Sequence, residues 1–260
     1  MEIQVQLTYL AIVAVLMLRF TILSVTLPFL GHRSVPIAWR IALGCVIGLA
    51  TAPVVAHNLS LADLHIGWPE LVAEFGRSVL VGMLLGLAIG LPFTAVKFAG
   101  QVLGVQVGFA IVNTVDPQSG ARISVIGQIY YLLGSLLFFA VNAHHAVVIG
   151  LVQSCTVVPL FAPVDGSAAS WIMLKEFGSV FHIGLRIAAP CIIVLLLVSA
   201  TMGVIVKTVP QINVLIVGFP IRIAAGLMTF GLSLVFFKDV FLSAGANMEE
   251  RLVRLLTALM

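Results

Sequence analysis

Seven apolar runs dominate the chain, at residues 7–30, 37–57, 78–100, 125–141, 143–161, 181–206 and 212–237. Crossing the hydrocarbon of a bilayer takes about 20 apolar residues in helical form. No water is available there, so each run must satisfy its backbone polar groups internally, as a helix does. Asp, Glu, Lys and Arg make up only 9% of the 260 residues, against about 25% in an ordinary soluble domain. The runs predict an all-α membrane protein.

The N-terminal Met-Glu-Ile-Gln-Val-Gln has no basic segment ahead of the first run and no small-residue cleavage site after it, so that run reads as a retained helix. Polar breaks fall at 31–36, 58–77, 113–124, 162–178 and 243–251, none long enough for a soluble domain. Arg33 and Arg40 accompany the first break, and Asp63, Glu70 and Glu74 the second. The positive-inside rule then puts the first loop in the cytoplasm and the acidic one outside. The net charge of +3 is scattered, without the basic stripe that nucleic acid requires. Cys45, Cys155 and Cys191 all lie within apolar runs and read as small buried hydrophobes.

Prolines 28, 53, 92, 159, 190, 210 and 220 interrupt the runs, each removing a backbone donor and kinking or ending its helix. Glycines recur at four-residue intervals: Gly44 and Gly48; Gly82, Gly86 and Gly90; Gly100, Gly104 and Gly108. That spacing places small residues on one helix face, where backbones approach closely. The expected architecture is a tightly packed set of kinked, proline-broken helical hairpins.

Arg19, Lys97, Arg186, Lys207 and Arg222 lie in or at the ends of the runs, which contain no acid before Asp239. Lys97, Lys207 and Arg222 stand near breaks or prolines and read as snorkelling to the interface. Arg19 has apolar residues on both sides. Arg19, Lys97, Arg186 and Arg222 are candidates for polar pairing, and the shortage of acid in the runs points to partners on other subunits.

No nucleophile elbow, paired membrane aspartates, His-Glu-x-x-His or phosphate loop is present. His144 and His145 are successive, about 100° apart on a helix, and cannot share one metal. The chain reads as a non-enzyme without catalytic residues, metal or cofactor.

The most informative stretch is 99–122. A glycine-spaced helix leads into an apolar segment, Phe109 to Val115, and breaks at Asp116-Pro117. On physical grounds this is either an ordinary helix end with its loop or a dewetting constriction in a pore. Here Arg33-Ser-Val-Pro36, Ala99-Gly-Gln-Val-Leu-Gly-Val-Gln-Val-Gly108, Asp116-Pro117, Asn142-Ala-His144, Ser154 with Pro159, and Pro210-Gln-Ile-Asn-Val-Leu-Ile-Val-Gly-Phe-Pro220 follow in order. Together they resemble the FliR family of flagellar type III export proteins, whose relatives serve virulence injection systems. Ala143 departs from the glycine usual before the histidine, and the Pro210–Pro220 block follows the flagellar form.

The resemblance implies an export gate at the bacterial inner membrane, in the flagellar basal body. Its partners would be FliP-like, FliQ-like and FlhB-like subunits, and its substrates unfolded proteins. It implies a FliP-like portion over 1–170 and a FliQ-like part over 171–260, whose hairpin is 179–206 and 212–242. It also implies that much of the gate is lifted out of the bilayer plane. Finally, it implies a plug at 108–122, with Phe109, Ile111, Val112 and Val115 as the apolar stopper and Asp116-Pro117 setting the bend. Three other readings stand beside it: the corresponding gate subunit of a virulence system, a small-solute secondary transporter, which should show a midplane acidic or polar cluster, and a purely structural scaffold.

Overall fold

The computed structural model describes residues 2–28, 30, 35–57, 67–108, 124–161, 166–211, 213–245 and 248–259. Among these the regular structure is helical throughout: α1 (Glu2–Thr26), α2 (Ile37–His57), α3 (Trp68–Val107), α4 (Val125–Ala140), α5 (Ala143–Val157), α6 (Gly166–Thr208), α7 (Val214–Gly245) and α8 (Met248–Thr257). Five helices, beginning in α1, α2, α3, α6 and α7, are long and apolar enough to cross a membrane; α4 with α5 would make a sixth. The chain is an all-α membrane protein, as its apolar runs predict.

Two helices outrun their apolar cores. α3 has 40 residues and α6 has 43, about 60 and 65 Å at 1.5 Å per residue, against a hydrocarbon layer of about 30 Å. Each is about twice as long as one hydrocarbon thickness. Pro53, Pro92, Pro190 and Pro220 all stand inside helices that continue past them. Pro28, Pro159 and Pro210 stand where helices have ended.

The described chain groups into two compact units, Met1–Leu91 with Asn142–Glu176 and Asn247–Met260, and Pro92–Val141 with Phe177–Ala246. This grouping in space interleaves the sequence, whereas the expected division near 170 is one of resemblance along it.

In the first unit Ile12, Val15, Leu16, Phe20 and Leu23 bury the face of α1. A Cβ on Gly48 would come within 2.7 Å of Met17 Cα, and one on Gly44 would meet Thr21. At both places α2 lies backbone to backbone on α1. A Cβ on Gly82 would stand 2.7 Å from the Arg19 carbonyl, and one on Gly86 would meet the Thr26 hydroxyl, so α3 takes another side of α1. α8 lies on α5, with Leu252 against Gly150, and Glu176 of α6 holds Arg251 of α8 in an ion pair. The apolar runs miss α8, which begins inside the expected break at 243–251 and runs past it. Its buried residues, Met248, Leu252, Leu255 and Leu256, have the spacing of an amphipathic helix, the signal that would have found it.

The core of the second unit is aromatic. Phe93 meets Phe138 edge to face at 5.4 Å and Phe241 at 5.7 Å, and Tyr130 meets Phe230 at 4.9 Å. Such edge-to-face pairs add about 0.5–1.5 kcal/mol each beyond their buried area. Ser233 donates to the Phe230 carbonyl at 2.8 Å, so Tyr130 is the donor in its 2.8 Å hydrogen bond to Ser233.

Candidate functional site

Two sites emerge, one in each unit. In the second, the end of α3, the start of α4 and the start of α7 converge. A Cβ on Gly100 would collide with the backbone of Gly127, and one on Gly104 with the Ser124 hydroxyl. Ser124 caps α4 by accepting from the Gly127 N–H at 3.4 Å. One turn beyond Gly104, Gly108 ends the helix with φ +101°, a backbone conformation that a side chain would strain. A Cβ there would also stand 2.8 Å from the Phe219 ring. On the same stretch of α7, Gly226 faces Val107, where a Cβ would come within 2.6 Å of Cγ2.

The two blocks that carry the family resemblance, 99–108 and 210–220, thus meet at Gly108 and Phe219. The chain leaves α3 at Gly108 and re-enters at Ser124, beside Gly104. Phe109, Ile111, Val112, Val115, Asp116 and Pro117, the expected stopper, lie outside the described residues, as does the rest of 109–123. Of the two glycine triplets, Gly100, Gly104 and Gly108 all face close neighbours. In the other, Gly82 and Gly86 do so, while Gly90 has only an ordinary contact to Pro28, 3.9 Å from the place a Cβ would take.

The second site is a charge cluster in the first unit. Arg19 and Glu74 are 0% and 1% exposed and face each other at 3.6 Å. Glu74 also accepts from Arg77 at 2.8 Å and from the Phe161 N–H at 2.9 Å. Arg19 donates to the Ser154 carbonyl at 3.1 Å, and Arg77 to the Pro159 carbonyl at 3.1 Å. Three side chains from α1 and α3 therefore hold the end of α5 and the turn after it, where Phe161 adopts φ +67°. Arg19, a candidate for polar pairing, thus faces an acid of its own chain, from outside the apolar runs. Glu74 was read as part of a polar break at 58–77, but α3 begins at Trp68 and carries Glu74 inside as a helical residue. Hydropathy sees the carboxylate as a loop signal; pairing with two guanidiniums is what lets it be buried.

The remaining cations are placed separately. Lys97 lies 4.2 Å over the Tyr131 ring, and Arg222 donates to Ser199 at 2.9 Å. Arg186 borders an open cleft between α6 and α7. The rings of His144 and His145 lie 4.4 Å apart at the first turn of α5, so the two side chains turn toward each other more than helical spacing suggests. Among the described residues no three His, Cys, Asp or Glu cluster as metal ligands.

Residues 10–248 match the family model described as bacterial export proteins, family 1. A flagellar biosynthetic protein FliR of Bacillus subtilis is 33% identical over 215 residues, 81% of each chain. The chain belongs to the FliR family. The FliR proteins of Pectobacterium carotovorum and Escherichia coli are 31% and 29% identical, across 83% and 81% of this chain and 81% and 79% of their own. The match spans both sites, since Arg19, Glu74, Gly108 and Phe219 all fall within residues 10–248.

Proposed function

We propose that this chain is a non-enzymatic subunit of a flagellar protein export gate in the inner membrane, and that residues 108–122 form its closable stopper. It assembles with FliP-like, FliQ-like and FlhB-like subunits, and unfolded export substrates pass along it. The observation that carries this reading is the clamped neck of the 109–123 segment. Gly100 on Gly127, Gly104 on Ser124 and Gly108 under Phe219 supply a rigid base, with both ends of the segment within about one helical turn. A short apolar stopper on a fixed base can block ions by dewetting and still yield to a threaded chain. The relatives' names supply the flagellar assignment.

Assembly into a larger complex is supported by what the chain leaves uncovered. Phe181, Leu185, Ile193, Leu197, Leu232 and Phe236 on α6 and α7 are all more than 45% exposed. Such a face is available to the helices of other subunits, which pack on it as they would on any apolar helix surface. The deciding experiment is ion conductance of membranes containing the co-expressed gate. Phe109→Ala combined with Val112→Gly should raise the leak well above wild type. An assembled double variant as tight as wild type would refute the stopper.

A further inference from the structure

α4 presents three distinct faces. Gly127, Tyr130 and Gly134 are buried. Ile129, Leu132 and Leu136 are exposed hydrocarbons, a face for lipid or neighbouring helices. Between these two lies a third, on which Gln128 is exposed and Tyr131 and Ser135 are half-buried. Positions i, i+3 and i+7 share one side of a helix. α3 repeats the pattern: Thr94, Lys97 and Gln101 have the same spacing, and all three are exposed.

The two rows belong to one surface. Gly100 on Gly127 and Gly104 on Ser124 set α3 and α4 antiparallel. That register puts Lys97 level with Tyr131, Gln101 with Gln128 and Thr94 with Ser135. The 4.2 Å contact of Lys97 Nζ with the Tyr131 ring fixes the middle rung. A polar ladder thus runs along the α3–α4 seam, wholly within the second unit. It stops about one turn short of the neck, since Gly104 is the third residue after Gln101 and Ser124 the fourth before Gln128.

Exposed amides and an ammonium are costly against hydrocarbon, so this face meets water or polar protein. Its position decides between them, because the ladder ends where the 109–123 segment leaves and re-enters. We infer that the α3–α4 ladder lines the water-filled approach to the stopper and holds the extended main chain of an export substrate. This deepens the passage reading proposed above and rests on it. An unfolded chain offers an N–H and a C=O at every residue except proline. The side-chain amides of Gln101 and Gln128 each carry both a donor and an acceptor. They serve that main chain whatever its sequence. Lys97 adds one positive charge, which favours acidic stretches.

The test places single cysteines in the full chain, co-expressed with its partner subunits. The assembled gate is purified into nanodiscs, with and without a substrate arrested by a fused folded domain. Labelling rates are measured with hydrophilic anionic and cationic methanethiosulfonates, and the unsubstituted chain gives the background from Cys45, Cys155 and Cys191. Without substrate, Gln101→Cys and Gln128→Cys should react about tenfold faster than Leu132→Cys and Leu136→Cys, because an apolar setting suppresses the reactive thiolate. Arrested substrate should abolish labelling of the two ladder sites and of Ser119→Cys in the 109–123 segment. Lys97→Gln should lower the preference of Gln101→Cys for the anionic reagent about threefold, since Lys97 lies one turn away. Ladder cysteines that react no faster than those at Leu132 and Leu136 overturn the proposal. So does arrested substrate that protects Ser119→Cys but not the ladder, which leaves the passage reading standing. Protection of neither refutes that reading and the ladder's role with it, and an unchanged charge preference overturns the part given to Lys97.

Discussion

Replacing Glu74 with Gln tests whether the buried charges act as one unit. The substitution keeps the shape and an oxygen to accept from Phe161, but removes the charge facing Arg19 at 3.6 Å and Arg77 at 2.8 Å. Arg77 is 17% exposed and regains some solvation. Arg19 is fully buried, so its charge is left without compensation. Breaking one side of such a pair costs about 3–5 kcal/mol. Arg19→Met leaves Glu74 with Arg77 and Phe161 and should cost less, about 1–3 kcal/mol. The double variant removes both charges of the pair and should cost little more than Glu74→Gln alone, giving a coupling energy of about 2 kcal/mol. The measurement is equilibrium unfolding of the full chain in one detergent, followed by tryptophan fluorescence, for all four proteins. Single effects that add to within about 0.5 kcal/mol would refute the pair as a coupled unit.

Two further outcomes follow from the glycine neck and the terminal helix. Gly108→Ala meets both the φ of +101° and the Phe219 ring, and should cost about 1–3 kcal/mol in thermal stability. Adding Phe219→Ala relieves only the steric part, so rescue should be partial; full rescue would show that the backbone conformation carries no strain. Leu252→Ala removes a side chain 1% exposed that lies on Gly150. It should cost about 2–5 kcal/mol and expose α8 to limited proteolysis first, and a protease-resistant α8 in that variant would contradict its docking.

Much of the fold was legible because hydropathy reports on the solvent of a whole helix. The run at 37–57 coincides with α2, and the runs at 125–141 and 143–161 mark α4 and α5 closely. The same measure fails where polarity is local. It stops the third run at 78, though α3 begins ten residues earlier at Trp68, because Glu70, Glu74 and Arg77 look like solvent-facing groups. It passes over α8, whose mixed composition averages out while its helical period does not. The glycine spacing announced close approach but not the partner. That Gly100 would meet Gly127, or that Gly108 would lie under Phe219, depends on chain segments more than 25 and 100 residues apart respectively. No spacing rule reaches that far. Arg19 was flagged as a charge needing an opposite, and only three-dimensional proximity identifies that opposite as Glu74.

The neck at Gly104 and Ser124 bears on how members of this family can diverge. Where a segment begins and ends at nearly one point, its length is almost free thermodynamically: doubling it costs only about 0.6 kcal/mol of closure entropy. The fifteen residues between Gly108 and Ser124 can therefore be lengthened, shortened or rewritten at little cost to the fold. The anchoring glycines have no such latitude: Gly100 lies on the backbone of Gly127, Gly104 on the capping Ser124 side chain, and Gly108 combines a φ of +101° with the Phe219 ring. The molecule thus separates a replaceable segment from the frame that holds it, and a foreign segment grafted between Gly108 and Ser124 should leave the fold intact.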